Sequence, residues 1–150
     1  MIPGLNQRRV VASGVSFNVC EGGEGPPVLL LHGYPQTHLV WRHLAPTLAR
    51  EFTVIAPDLK GYGESDAPAP DPSSSRYSKR AMAQDQVDVM QHFGFERFAV
   101  VGQDRGGRVT HRMALDHPDK VTKAALIDIA PTHYLYTHVN IDFVQAYYHW

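Results

Sequence analysis

The chain has 150 residues, 43% of them hydrophobic and 19% charged, with a formal net charge of −1. That is enough chain for one sizeable core, and the composition is that of a soluble globular protein. The basic residues are scattered, which argues against a nucleic-acid or membrane surface, so neither partner is expected.

In chain order, the opening MIPGLNQRRVVASG lacks the apolar stretch of a signal peptide. No later apolar run approaches the length of a membrane span. RRVVA and VSFNV read as short strands joined at Ser13-Gly14, the pattern of a hairpin. Cys20 is the one cysteine. An intrachain disulfide is therefore excluded, and a reducing, cytoplasmic compartment is expected.

PPVLLLHG is a continuous apolar run ending in glycine, which predicts a strand buried on both faces. LVWRHLAPTLARE has helical spacing, with Leu39, Val40, Leu44, Ala45 and Leu48 on one side and Pro46 as a kink. FTVIAPD predicts a second buried strand. The stretch from Ser65 to Ser78, rich in Pro, Ser and Asp, predicts a long surface loop. YSKRAMAQDQVDVMQHFG predicts an amphipathic helix with Ser78 as N-cap and Gly94 as stop. RFAVVG predicts a third buried strand, RGGRVTHRMALDHP a helix ending before Pro118, and VTKAALIDIA a fourth buried strand. Strands alternating with helices indicate an α/β fold on a mostly parallel sheet. After Ala130 the chain turns aromatic, with helix expected towards its end.

Ligands of open parallel sheets bind beyond the carboxyl ends of the strands. HGYPQ, GQDRGG and DIAP all fall there. GQDRG has the frame glycine–x–nucleophile–x–glycine of the nucleophile elbow, with Asp104 at its centre. Two small residues permit a sharp strand-to-helix turn that lifts the central side chain off the sheet. The plainer alternative is that Asp104 only caps the helix and the arginines are surface residues. The frame behind an apolar strand favours the elbow. Arg105 and Arg108 share one face of the first helical turn and favour an ionised Asp104. The backbone N–H groups of Tyr34 and Arg105 are the expected oxyanion hole.

HGYPQTH, DLKGYGESD, YSKRAMAQDQV, GQDRGGRVTHRMALDHP, LIDIAPT and AYYHW together resemble the haloacetate (fluoroacetate) dehalogenase family of the α/β-hydrolase superfamily. The resemblance runs in order over essentially the whole chain. HGYP and DxxGYGxS are shared with epoxide hydrolases and haloalkane dehalogenases, so the specific parts are DRGGR and YYHW. The resemblance implies the N-terminal half of an α/β-hydrolase fold, with a core over 1–131 and the beginning of a helical cap over 132–150. It implies Asp104 as nucleophile, Arg105 and Arg108 gripping a substrate carboxylate, and Asp128 orienting a catalytic histidine. It also implies His149 and Trp150 as donors to a departing halide. Gln103 departs from the family, many members of which have histidine there.

The implied substrate is a small anionic 2-haloacid, and no cofactor is expected. His38, His43, His92, His111, His117, His133 and His138 show no metal-ligand spacing. His32 reads as structural, Ser65 as a loop residue, and Arg112 as half of a surface ion pair. The superfamily order of nucleophile, acid, histidine is not completed: His133 and His138 follow Asp128 too closely. The fourth strand would also present an open edge. The expectation is therefore the N-terminal half of a dehalogenase, partnered by a complementing C-terminal half or in a homodimer. Epoxide hydrolysis by the same Asp-ester route, or a non-catalytic fragment, are the alternatives.

Overall fold

A computed structural model describes residues 1–147. The hairpin forms as expected, with β1 (Asn6–Ala12) antiparallel to β2 (Val15–Gly22). Then come β3 (Pro27–Leu31), the short α1 (Ala45–Leu48), β4 (Thr53–Pro57) and α2 (Lys79–His92). β5 (Phe98–Gln103), α3 (Arg105–Asp116), β6 (Val121–Ile127), α4 (Thr132–Thr137) and α5 (Ile141–Tyr147) follow. The sheet order is β1-β2-β4-β3-β5-β6, parallel from β4 through β3 and β5 to β6.

The central strands explain why the sheet is layered. β3 sends Leu29 and Leu31 to one face and Val28 and Leu30 to the other, and all four are buried. The first face packs Phe17, Ile55, Phe98 and Val100 against Met82, Val87 and Met90 of α2 and Val109 and Met113 of α3. The second packs Val54 and Ala56 against Ile2, Leu5, Trp41 and Ala45. Each fully buried Leu, Ile or Phe contributes roughly 1.5–3 kcal/mol relative to exposure. α2 begins where the sequence places it: Ser78 is extended and its hydroxyl accepts the Ala81 N–H at 3.2 Å.

Two expectations are corrected. The segment from His38 to Leu48 is not one kinked helix. It is a 3₁₀ turn over His38–Trp41, capped by Thr37, followed by α1 with Pro46 in its first turn. Proline is tolerated there because those N–H groups have no helical acceptor. His38, Trp41 and Ala45 turn inward, whereas Leu39 and Leu44 are each 40% exposed. The fourth strand, β6, is not buried on both faces. It lies at the sheet edge beyond β5, and Leu126 and Ile127 are 41% and 43% exposed.

A buried polar cluster fixes the loop after β4. Asp58 Oδ1 accepts the backbone N–H of His38 at 2.7 Å and pairs with its ring Nδ1 at 2.8 Å. Asp58 Oδ2 accepts from Asn18 at 2.8 Å and from the Glu64 N–H at 3.1 Å. His32 is tied in neutral form: Leu59 N–H donates to its Nε2 at 2.9 Å, which leaves Nδ1–H to donate to the Gly33 carbonyl. Its structural role is thereby assigned, and burial lowers its pKa.

The bond to Asp58, with Cys20 also beside the ring, raises the pKa of His38 to about 9. Asp58, despite desolvation, is held well below the usual carboxylate range by its bonds to His38, Asn18 and Glu64. A raised histidine pKa stabilises fully below its unfolded value of 6.5, and the benefit is lost as pH rises towards about 9. A depressed Asp stabilises above 3.8, and that benefit is lost as pH falls below it. Urea midpoints of the protein should therefore decline between pH 6.5 and 9. His38→Gln should be less stable near neutrality and lack this decline; an unchanged alkaline slope in the variant would assign the decline elsewhere.

Candidate active site

The site is built where β5 gives way to α3. Asp104 has φ 49° and ψ −115°, a conformation that costs about 1–3 kcal/mol and must be held by its surroundings. What holds it is visible. Its N–H donates to the Ile127 carbonyl of β6 at 3.0 Å, and its own carbonyl accepts the Arg108 N–H at 3.2 Å. The frame glycines let backbones approach closely. A Cβ on Gly102 would press into the Gly106 carbonyl, and one on Gly106 into the Leu31 and His32 carbonyls of the neighbouring strand end.

Asp104 occupies the N-cap position of α3, yet its side chain makes no capping bond. Its Oδ1 instead accepts the backbone N–H of Tyr34 at 2.8 Å. The plain capping alternative is thus excluded by geometry. The HGYP turn is brought there by register, since Leu31 pairs with Gly102. Contact is so close that a Cβ on Gly33 would lie 2.6 Å from the Asp104 Cβ. Of the two expected oxyanion donors, the Tyr34 N–H is the one bonded to Asp104 among the described residues; the Arg105 N–H begins α3 directly after the turn.

Asp104 lines a cavity of about 130 Å³ together with Arg105, Arg108, Lys79 and Tyr136. The Arg105 guanidinium lies 5.0 Å over the Tyr34 ring. Burial pushes the Tyr62 phenol up, opposed by the nearby Arg105. Asp128 ends up beside the Asp104 turn because Gln103 pairs with Ile127 across β5 and β6. It has φ 55°, is exposed, and its carboxylate makes no hydrogen bond among the described residues. His149 and Trp150 lie outside the described residues. Arg112 forms the expected ion pair, with Asp116 one helical turn on. Among the described residues there is no cluster of three potential metal ligands. No helix there is long and apolar enough to cross a membrane.

The profile of the α/β hydrolase fold matches residues 26–150. The chain belongs to the α/β-hydrolase fold family. Fluoroacetate dehalogenase of a Burkholderia species is 49% identical over 150 residues, covering all of this chain and 49% of that protein. Soluble epoxide hydrolase of Corynebacterium sp. strain C12 is 36% identical over 127 residues, covering 85% of this chain and 43% of that protein. A solved structure from Nostoc sp. PCC 7120, described as an α/β hydrolase, superposes with a TM-score of 0.97 at 55% identity. It is matched over all of this chain and 52% of its own. The chain thus spans about half the length of the relatives it matches.

In this α/β-hydrolase fold the cavity has one carboxylate among three cationic side chains, a charge balance that suits a small anion. Lys79 and Tyr136 are missing from the sequence-based expectations. A signal for Lys79 exists: helix N-termini lie at the same sheet end as strand C-termini, so the first residue of α2 faces the site. Tyr136 has no such signal, because nothing in PTHYLYT distinguishes one tyrosine from the other.

Proposed function

We propose that this chain carries the nucleophile and anion-binding half of a hydrolytic haloacetate dehalogenase. The observation that carries the proposal is the lifted Asp104 carboxylate in a cavity lined by Arg105, Arg108 and Lys79. The Burkholderia relative is named for the same activity. Residues 1–131 would form the core and 132–150 the beginning of the cap.

Arg105 and Arg108 bind the carboxylate of a 2-haloacid, offsetting its repulsion from Asp104. Asp104 Oδ2 attacks the halogen-bearing carbon in line, and the halide leaves with the bonding electron pair. The product is an ester of Asp104. Oδ1, already bonded to the Tyr34 N–H, becomes the carbonyl oxygen of that ester. Water then adds to the carboxyl carbon, giving up a proton to a base, and the negative charge develops on Oδ1 where the N–H donor is in place. Collapse releases the 2-hydroxy acid and restores Asp104. By family resemblance the base is a histidine oriented by Asp128. The described cavity lining contains no histidine. His149 and Trp150 would donate to the leaving halide.

Epoxide opening by the same ester route is the second reading, favoured by the epoxide hydrolase relatives. A neutral epoxide has no use for paired arginines. The test is to offer the full-length protein chloroacetate, fluoroacetate and a neutral epoxide, following halide and diol. Halide release without diol is expected. Arg108→Ala should raise KM for chloroacetate by about tenfold or more, the loss of a charge-assisted pair. Diol formation with no halide release would replace the dehalogenase reading by the epoxide one.

A further inference from the structure

We propose that Lys79 is a positioning residue that draws the substrate carboxylate from an outer groove into the Asp104 cavity, where the two arginines then hold it. The proposal rests on the dehalogenase reading for the identity of the anion, a small monocarboxylate. Its own basis is the placement of one cation.

Lys79 lines two neighbouring cavities. The inner one, about 130 Å³, holds Asp104; the outer one, about 340 Å³, shares Lys79 and Arg108 and adds His111, Arg112 and His133. Lys79 is thus common to both cavities. Its position is electrostatically poor for a protein without a ligand. It is the first residue of α2, at the positive end of that helix. Arg105 and Arg108 repel it, and burial together with that repulsion lowers its pKa, against a smaller opposing pull from Asp104.

Three other cations of this region are matched by carboxylates. Arg80 and Arg112 both pair with Asp116, and Lys60 pairs with Asp85 at 2.6 Å. Among the described residues no carboxylate comes within ion-pair distance of Lys79; its near partner is the Met82 sulfur at 3.8 Å. A half-buried cation beside two others costs stability until an anion arrives, so its position makes sense as a ligand contact. Side-chain chemistry divides the labour. Arginine forks hold a carboxylate in fixed geometry, whereas an ammonium on a flexible four-carbon stem can follow an anion between two cavities.

The test uses the full-length protein and Lys79→Met, which keeps an unbranched stem and removes the charge. With chloroacetate at low salt, KM should rise about tenfold, with kcat moving less than KM. The gap between the two proteins should shrink at high salt, because screening removes what steering supplies. Lys79→Arg should recover most of the difference. The thermal midpoint of ligand-free Lys79→Met should be equal or higher. An unchanged KM and salt slope, or a fall in kcat with KM constant, overturns the proposal. Titration with glycolate, followed by calorimetry, separates it from the functional reading. If the parent protein releases no halide, the dehalogenase reading fails, yet salt-sensitive glycolate binding weakened by Lys79→Met still supports the anion role. Equal glycolate affinity, or none in either protein, overturns it.

Discussion

Asp104→Asn is expected to reduce halide release from chloroacetate on the order of 10⁶-fold, the scale seen when a nucleophile is removed from a catalytic unit. An amide is isosteric with the carboxylate and can occupy the same turn, so folding should be retained. It can still accept the Tyr34 N–H through its oxygen. What it lacks is the anionic oxygen that the proposed mechanism directs at saturated carbon. The measurement is halide release together with circular dichroism and the urea midpoint of the same sample. Native-like unfolding with lost turnover is the expected pair. Retained turnover would mean that water attacks the substrate directly and that neither the nucleophilic oxygen nor the charge of Asp104 is needed.

Gly106→Ala is the second large effect, and it separates architecture from chemistry. The added methyl would meet the backbone carbonyls of Leu31 and His32, which cannot rotate away as a side chain could. Helix α3 must then retreat from β3. Overpacking of this kind costs about 1–3 kcal/mol. The same retreat moves Asp104 away from the Tyr34 N–H, and a displacement of about 1 Å in a reacting group costs roughly 10²-fold in rate. The variant should therefore show both a lower urea midpoint and lower turnover. Substrate saturation should not restore the rate, because the fault lies in the position of the nucleophile. Normal activity at normal stability would show that α3 has room to move, contrary to the close approach at Gly106.

The two predictions bear on different parts of one motif, and both parts are legible in the chain. The glycine frame around Asp104 and the apolar run before it are local signals, and the physical cause of each is now visible. Gly102 and Gly106 are small because backbones pass over them. The run FAVVG shows no polar–apolar alternation because both faces of β5 are covered. Phe98 and Val100 join the core under α2 and α3, while Ala99 and Val101 pack against the cluster on the opposite face. The start of α2 is legible because a serine cap is a one-residue signal.

Legibility ends where distant residues decide the outcome. The segment around Pro46 has helical spacing, but the burial of His38 rests on Asp58, twenty residues away in sequence. That bond turns the ring inward and leaves Leu39 and Leu44 outside. The strand β6 is apolar enough for a core, yet it is the outermost strand of the described sheet, and that position leaves Leu126 and Ile127 open. Lys79 looks like any lysine on the first turn of an amphipathic helix; only the approach of α3 makes it part of a cationic cavity. In each case the sequence carries the propensity, and a tertiary neighbour decides how it is used.

The most direct test of the account is whether substrate becomes covalently attached to Asp104. The protein is mixed with chloroacetate, quenched in acid during turnover, digested and analysed by mass spectrometry. The account predicts a carboxymethyl ester on the peptide containing Asp104, absent from Asp104→Asn. In isotopically labelled water, a single turnover should leave labelled oxygen in the Asp104 carboxylate. Halide release with no adduct, and with label found only in glycolate, would contradict it.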